Sequence, residues 1–569
     1  MYQAATLSNP NSRLQAFLHN RQESSSSPMP RFTLVVVLFM LAFTAIGFRL
    51  FWVMVLSHNP NNAQNKSIYS MLERADILDR NGDVLATNLI TFSLYARPNQ
   101  LIDSEKAAEK LSKLFPDLNK QVLQKKLSSR KPFVWLKRNL TPRQQERINA
   151  LGLVGVHFQK EQKRIYPHEK LMAHVVGYTD VDGKGLSGIE RKFQGTLQEK
   201  KEPLRLSLDL RVQHIVRDAL VRGMQEFRAK KASGMVMDVN TGEMIAMVSL
   251  PDFDPHKPSS GEAIFNTNTL GVYEMGSIFK IFTFAMALDS KKVTLDQGFD
   301  ASQPLTFGKF KIKDYRPKNR WLSVPEVFMY SSNIGTVKMA MKVGTEGQKN
   351  FFEKIGFLQP LKTEIGENGV PMAPREWHDI NTATISYGYG MAVSPLQVIN
   401  GVAAMVNGGI LRSPTLLLDN NNDREGKRVI SAATSEKLRR LLHLTVLHGS
   451  GTKGNAPGYL VGGKTGSANK KDDHSNNYVA KDKHRAIFVA AFPMHDPKYI
   501  TFVMLDEPHG TSQTQGFSTG GWTSGPITKE IIEKAAPLLG VLPVDESSPK
   551  IQAAMRLNIS PEGSAHALR

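Results

Sequence analysis

Ser277 and Lys280, in the stretch Tyr273-Glu-Met-Gly-Ser-Ile-Phe-Lys280, set a hydroxyl three residues before an amine. The apolar run from Ile281 to Leu288 predicts a helix over 277–288, which puts the two side chains on one face, a turn apart. In a partly apolar pocket an ammonium sheds its proton and becomes a base for a neighbouring hydroxyl. A serine at a helix start also has free backbone N–H groups beside it, able to hold a developing oxyanion. The spacing is common, however: Ser128, Ser450, Ser467 and Ser547 also stand three residues before a lysine, and any one of these reads equally well as a solvated surface pair.

Two later motifs single out Ser277. Ser331-Ser-Asn333 lies in Met329-Tyr-Ser-Ser-Asn-Ile-Gly-Thr336, and Lys464-Thr-Gly466 lies in Val461-Gly-Gly-Lys-Thr-Gly-Ser-Ala468, at the end of a strand predicted over 459–463. S-x-N recurs at Ser57, Ser467 and Ser475, but K-T-G occurs once. Taken alone, Ser331 reads as a helix cap and Lys464 as an exposed strand lysine. The ordered set fits acyl transfer. Ser277 is the nucleophile and Lys280 its base. Ser331 can pass a proton to the leaving amine. Asn333 can hold both the lysine and a substrate peptide group. Lys464 offers a cation to a substrate carboxylate, and Thr465 and Ser467 offer it hydroxyls. The backbone N–H groups of Ser277 and Ser467 would form the oxyanion hole. Gly462, Gly463 and Gly466 would let substrate approach the strand edge.

Other elements must position these residues. Residues 1–31 read as a polar tail, with the serine run 24–27 and two prolines. Phe32 to Phe48 is 17 residues without a charge; Arg49 interrupts, and Leu50 to Leu56 resumes the apolar run. The reading is a signal anchor over 32–56. Arg13, Arg21 and Arg31 against Glu23 alone place the tail in the cytoplasm and the bulk outside. Residues 57–225 form a positioning or docking region. Asn59–Asn65 is its polar linker, Asn81-Gly82 marks a tight turn, and 105–115, 119–127 and 141–151 have helical spacing. Residues 226–543 then run as a hairpin about Asn240-Thr-Gly242, a helical middle, strands at 459–463, 485–492 and 499–505, and a last helix over 526–539. That order predicts an α+β fold, an antiparallel sheet flanked by helices. Residues 544–569 read as a flexible tail.

The chain has no cysteine among its 569 residues, which excludes disulfides, thiolate metal sites and a cysteine nucleophile. No cofactor or metal motif is present. The net charge of +20 suggests an anionic neighbour, the alternative being a scattered basic surface that only aids solubility. Without zinc-ligand spacing, a P-loop or an RNP-type aromatic motif, nucleic acid is the poorer choice beside a phospholipid surface or an acidic polymer.

From the anchor to about residue 540 the chain resembles the class B penicillin-binding proteins, in particular the division-specific (FtsI-type) peptidoglycan D,D-transpeptidases of Gram-negative bacteria. Besides the three motifs, the resemblance is carried by Arg74–Leu85, Arg164–Pro167, Gly185–Glu190, Leu206–Gln213, Asp252–Pro255, Ser386–Gln397, Asn407-Gly-Gly409, Asp506-Glu-Pro508 and Gly520-Gly521. It implies a β-lactamase-like transpeptidase domain on a dimerisation-type pedestal, with no glycosyltransferase domain between anchor and pedestal. It implies that Ser277 attacks the D-Ala-D-Ala bond of a stem peptide and that an amine acceptor resolves the acyl-enzyme, with β-lactams acylating the same serine. It further implies residence in the inner membrane and partnership with an FtsW-type glycosyltransferase and other division proteins. Met275 replaces the family's usual proline, and Ser467 the threonine common after K-T-G. The alternatives are an elongation-type enzyme, or a D,D-carboxypeptidase or β-lactamase of the same fold.

Overall fold

The computed structural model describes residues 29–51, 74–199, 202–258, 261–308, 310–418, 425–470 and 483–557. The polar tail before residue 29, the 59–65 linker and the end of the chain after 557 lie outside these. Two units divide the chain, Met1–Leu72 and Glu73–Arg569. The first contributes α1 (Met29–Phe51), whose segment Thr33–Leu50 is long and apolar enough to cross a membrane and is wholly exposed. An exposed face of that kind suits lipid rather than water.

In the second unit the chain begins with a small sheet of β1 (Ile77–Leu78), β2 (Val84–Ala96), β3 (Val134–Leu140), β4 (Val156–Ile165) and β5 (Leu204–Arg205). Its order is β3-β2-β1-β5, with β4 also on β2; β1 and β5 run parallel and the other pairs antiparallel. The predicted helices are present as Ser104–Leu114, Lys120–Leu127 and Pro142–Asn149, capped by Asp103, Asn119 and Thr141. Three turn-rich stretches far apart in sequence meet here. Glu190, fully buried, takes Arg74 Nε at 2.5 Å and Arg164 Nε at 2.6 Å. Asp79, also fully buried, accepts the amides of Asn81 and Asp83 to shape the Asn81-Gly82 turn, and that of Leu210 to pin it to the next helix.

That helix, α2 (Leu210–Glu226), corrects one expected boundary. Assigned by sequence to the pedestal, it lies on the larger sheet, because its stripe of Val212, Val216, Ala219 and Leu220 is buried against Val236, Val503 and Leu505. The larger sheet contains β6 (Lys231–Asp238), β7 (Met244–Leu250), β8 (Gly462–Asn469), β9 (His484–Phe492) and β10 (Tyr499–Asp506) in the order β8-β9-β10-β6-β7, antiparallel throughout. Successive residues face opposite sides. Val236, Val503 and Leu505 meet α2 and the final helix α8, defined below, while Met235, Met237, Phe502 and Met504 meet a central helical layer. That layer contains α3 (Phe279–Asp289), α4 (Val324–Met329), α5 (Asn333–Val343), α6 (Pro395–Val406) and α7 (Ala432–His448); α8 spans Ser524–Leu538. The α+β fold expected from the sequence is therefore present.

A second correction concerns the C-terminal tail. Residues 544–557 are docked rather than loose. The Val544 amide donates to the Gly458 carbonyl, Glu546 accepts the Gly458 amide, and the short helix Pro549–Met555 lies against α7 through Arg440 and the Ala554 carbonyl. Val544, Ile551, Met555 and Leu557 pack on the main core, a contact too sparse in sequence to show periodicity.

Candidate active site

Ser277 sits in a 3-10 turn, Gly276–Ile278, that leads directly into α3. Every residue of α3 from Phe279 to Leu288 is buried, so this is the central helix of the domain, enclosed all round and carrying Lys280 into the core. Three backbones meet at its start. A side chain on Gly276 (φ 52°) would come 2.5 Å from the Ser467 carbonyl oxygen, and the Gly276 amide donates to the Gly388 carbonyl at 3.2 Å. Only a glycine lets the turn, the Gly388 loop and strand β8 close to that distance.

The K-T-G segment lies in the middle of β8, not at the end of a strand as expected. Its glycines do not clear a path for substrate either. A Cβ on Gly466 would meet the Met275 carbonyl oxygen at 2.6 Å, one on Gly463 the Val489 carbonyl at 2.7 Å, and one on Gly462 the Met494 side chain at 2.4 Å. They let the strand pack against its own protein.

Ser331 lies between α4 and α5 with φ of 59°, a left-handed conformation that costs a non-glycine residue about 1–3 kcal/mol. The strain aims both its carbonyl and its hydroxyl at Lys280. Lys280 Nζ donates to the Ser331 carbonyl, to Ser331 Oγ at 3.0 Å and to Asn333 Oδ1 at 2.8 Å. Lys464 Nζ reaches the same Ser331 Oγ at 2.9 Å and the Thr465 carbonyl at 3.4 Å. One hydroxyl is thus shared by two fully buried lysines. Burial first, then the neighbouring Lys464, pushes the Lys280 ammonium well below the usual lysine range, against an upward pull from Asp314. Burial alone lowers Lys464 to about 7. Ser277, half-buried, has no hydrogen bond from its hydroxyl to any described residue.

The remaining predicted residues adjoin this cluster. Thr465 Oγ1 is 2.8 Å from Ser450 Oγ, and Ser467 Oγ accepts the Gly520 amide at 3.3 Å. Asn333 Nδ2 is spent on the Lys313 carbonyl at 2.9 Å. Ser332, not Ser331, caps α5, accepting the Gly335 amide. Two neighbours escaped the sequence reading. Asp314, buried in a loop, accepts Ser332 Oγ at 2.7 Å and the Ile334 amide at 3.0 Å, fixing the S-x-N turn. Tyr389 donates to the Ser467 carbonyl and accepts the Asn469 amide, holding the outer half of β8. Tyr389 falls in the family-like stretch 386–397, so a signal existed for it; Asp314 carries no motif.

Among the described residues no cluster of His, Asp or Glu has the form of a metal site. Residues 232–533 match the penicillin binding protein transpeptidase domain, and residues 71–209 the penicillin-binding protein dimerisation domain. A probable peptidoglycan D,D-transpeptidase FtsI of Caulobacter vibrioides is 37% identical over 483 residues, 82% of each chain. The probable peptidoglycan D,D-transpeptidase PenA of Neisseria gonorrhoeae is 33% identical over 506 residues, 83% of this chain and 85% of that one. The Escherichia coli peptidoglycan D,D-transpeptidase FtsI is 27% identical over 540 residues, 87% and 90% of the two. In fold, the chain is similar to penicillin binding protein 3 of Mycobacterium tuberculosis in complex with aztreonam, with a TM-score of 0.65, 21% identity, and 83% of this chain and 97% of that one covered. With a lysine-flanked serine cluster in the matched transpeptidase region and a dimerisation domain before it, the chain belongs to the class B penicillin-binding protein family, the serine-type peptidoglycan D,D-transpeptidases.

Proposed function

We propose that this transpeptidase works through an acyl-enzyme on Ser277 and crosslinks stem peptides of septal peptidoglycan. The observation that carries the chemistry is the convergence of two buried lysines on Ser331 Oγ, with Lys280 coming from the helix that the Ser277 turn opens. Lys280, its ammonium disfavoured by burial and by the neighbouring Lys464, takes the Ser277 proton as Oγ attacks the penultimate D-Ala carbonyl. Ser331 then relays a proton to the departing D-Ala amine as the C–N bond breaks. Backbone N–H groups of Ser277 and Ser467 hold the oxyanion, while Lys464, Thr465 and Ser467 receive the terminal carboxylate beside Gly466. An acceptor amine attacks the ester, returns a proton through the same lysine and frees Ser277. β-Lactams enter by the first half of this sequence.

The septal role, an FtsW-type glycosyltransferase and other division proteins as partners, and a cytoplasmic N-terminus ahead of a single inner-membrane pass are parts of the same proposal. The FtsI-named relatives and the apolar α1 support them. The decisive test is labelling of the full chain with fluorescent penicillin. A stable adduct at Ser277, lost in Ser277→Ala with the melting temperature retained, is expected; an adduct that persists in Ser277→Ala, or rapid release of hydrolysed drug, refutes the acyl-enzyme reading. A fluorescent fusion at the septum tests the cellular role, and side-wall fluorescence overturns it. Since the chain has no cysteine, Ser24→Cys gives a single thiol whose labelling from one side of the membrane only reports orientation.

A further inference from the structure

At the mouth of this site, cations and aromatic rings alternate. Lys453 Nζ lies 4.3 Å from the Trp522 ring, Trp522 stacks on Phe517 at 5.1 Å, and the Arg316 guanidinium carbon lies 5.2 Å from the Phe517 ring. The row is anchored at both walls of the site. Lys453 belongs to the turn Thr452–Gly454, just after Ser450, whose hydroxyl touches Thr465. Arg316 follows Lys313 and Asp314, which hold Asn333 and Ser332. The loop that carries both rings is tied to β8 by the Gly520 amide on Ser467 Oγ. From the same wall Lys318 lies 4.4 Å over the Tyr330 ring. Arg316, Lys318 and Lys453 are exposed, Phe517 and Trp522 half-buried. Among the described residues none of the three cations is paired with a carboxylate, although ion pairs occupy much of the surface elsewhere.

A ring beneath a guanidinium or ammonium holds its position without consuming its N–H groups. Arg316 in particular keeps a fork of donors suited to a planar carboxylate. The arrangement is therefore a pre-positioned positive rim, unpaired with carboxylates among the described residues, beside the K-T-G strand and the S-x-N turn.

We propose that Arg316, with Lys453 and Lys318 beside it, is a specificity determinant that recognises free side carboxylates of the donor stem peptide, so that the enzyme favours stem peptides whose carboxylates are not amidated. This rests on the transpeptidase reading above. It also gives the strongly basic composition a local use, since screened attraction over a Debye length draws an anionic peptide toward the rim.

The test uses the full chain in detergent and two synthetic donors, a stem pentapeptide with free side carboxylates and the same peptide with them amidated. The unsubstituted enzyme is expected to favour the free acid by about tenfold or more in kcat/KM, mainly through KM, the size of one charge-assisted hydrogen bond. The preference should shrink with added salt. Arg316→Gln should bring the ratio between donors toward one, and Phe517→Leu, which removes the ring beneath the guanidinium, should lower it in part. Lys453→Gln provides a second reading should either variant misfold. Fluorescent penicillin acylation, run on each protein, reports whether Ser277 is still addressed in a folded site. Equal use of both donors by the unsubstituted enzyme overturns the proposal, as does a preference that survives Arg316→Gln and Lys453→Gln. Failure of the unsubstituted chain to acylate overturns instead the acyl-enzyme reading, and this inference falls with it.

Discussion

Gly466→Ala tests whether the seating of strand β8 against the serine turn sets the acylation rate. The added methyl would lie 2.6 Å from the Met275 carbonyl oxygen and 2.8 Å from Ile278 Cγ1. Carbon–oxygen contacts settle at roughly 3.3 Å or more, so turn and strand must separate by about 0.7 Å. The carbonyl is backbone, and no rotamer change moves it. The gap opens between Ser277 on the turn and Ser467 on the strand, whose backbone N–H groups are proposed above to hold one oxyanion. A displacement approaching 1 Å costs on the order of a hundredfold in a positioned reaction, and an overpacked core typically loses about 1–3 kcal/mol. The assay is the second-order rate of fluorescent penicillin acylation, with thermal melting alongside. The expected result is a loss of roughly ten- to a hundredfold in acylation with a melting temperature lower by several degrees. Gly195→Ala is the control, because a methyl there meets nothing within 4 Å; its rate should not move. Acylation of Gly466→Ala within about twofold of the parent would refute the reasoning, whatever the melting temperature did.

Three further outcomes follow from the buried charges. Lys464 falls to about 7 in the folded chain, so between there and the ordinary lysine value the unfolded state binds more protons and stability rises with pH. Lys464→Met should therefore melt above the parent near pH 6, where the cost of the buried charge is fully present, and the gap should close by about pH 10; a gap that widens with pH contradicts this. Asp314 pulls Lys280 upward, so Asp314→Asn should move the acid limb of the acylation–pH profile to lower pH while losing about 1–3 kcal/mol through Ser332 and Ile334; an unmoved limb would show that Asp314 does not act on Lys280. Glu190→Gln strands Arg74 and Arg164 without their shared carboxylate and should cost about 3–5 kcal/mol, read by thermal melting; a change under about 1 kcal/mol would show that the triad is not a clamp.

The parts of the fold that were legible share a physical cause. Strands β6, β7, β9 and β10 are buried on both faces and read as largely apolar runs, and the early helices announce themselves by their spacing. Strand β8 was misplaced because glycine is a poor strand former, yet glycine is what its contacts with Met275, Val489 and Met494 demand. The function came from the order of three motifs, a property of the chain, whereas the site's organisation belongs to the fold. Sequence put Ser277 and Lys280 at the centre as a pair. In the structure Lys280 turns instead to Ser331 and Asn333, and Lys464, in the next motif but one, converges on the same Ser331 hydroxyl. No spacing rule could state this, since it depends on the left-handed backbone at Ser331, which nothing in Tyr330-Ser-Ser-Asn333 announces, and on Asp314 from a loop with no pattern of its own. It also changes the chemical picture. Ser331 Oγ joins two lysines whose charges burial disfavours, and the Ser277 hydroxyl is bonded to no described residue. Contacts made only with substrate in place, at the strand and at the rim, should then govern rate more than any contact Ser277 makes alone.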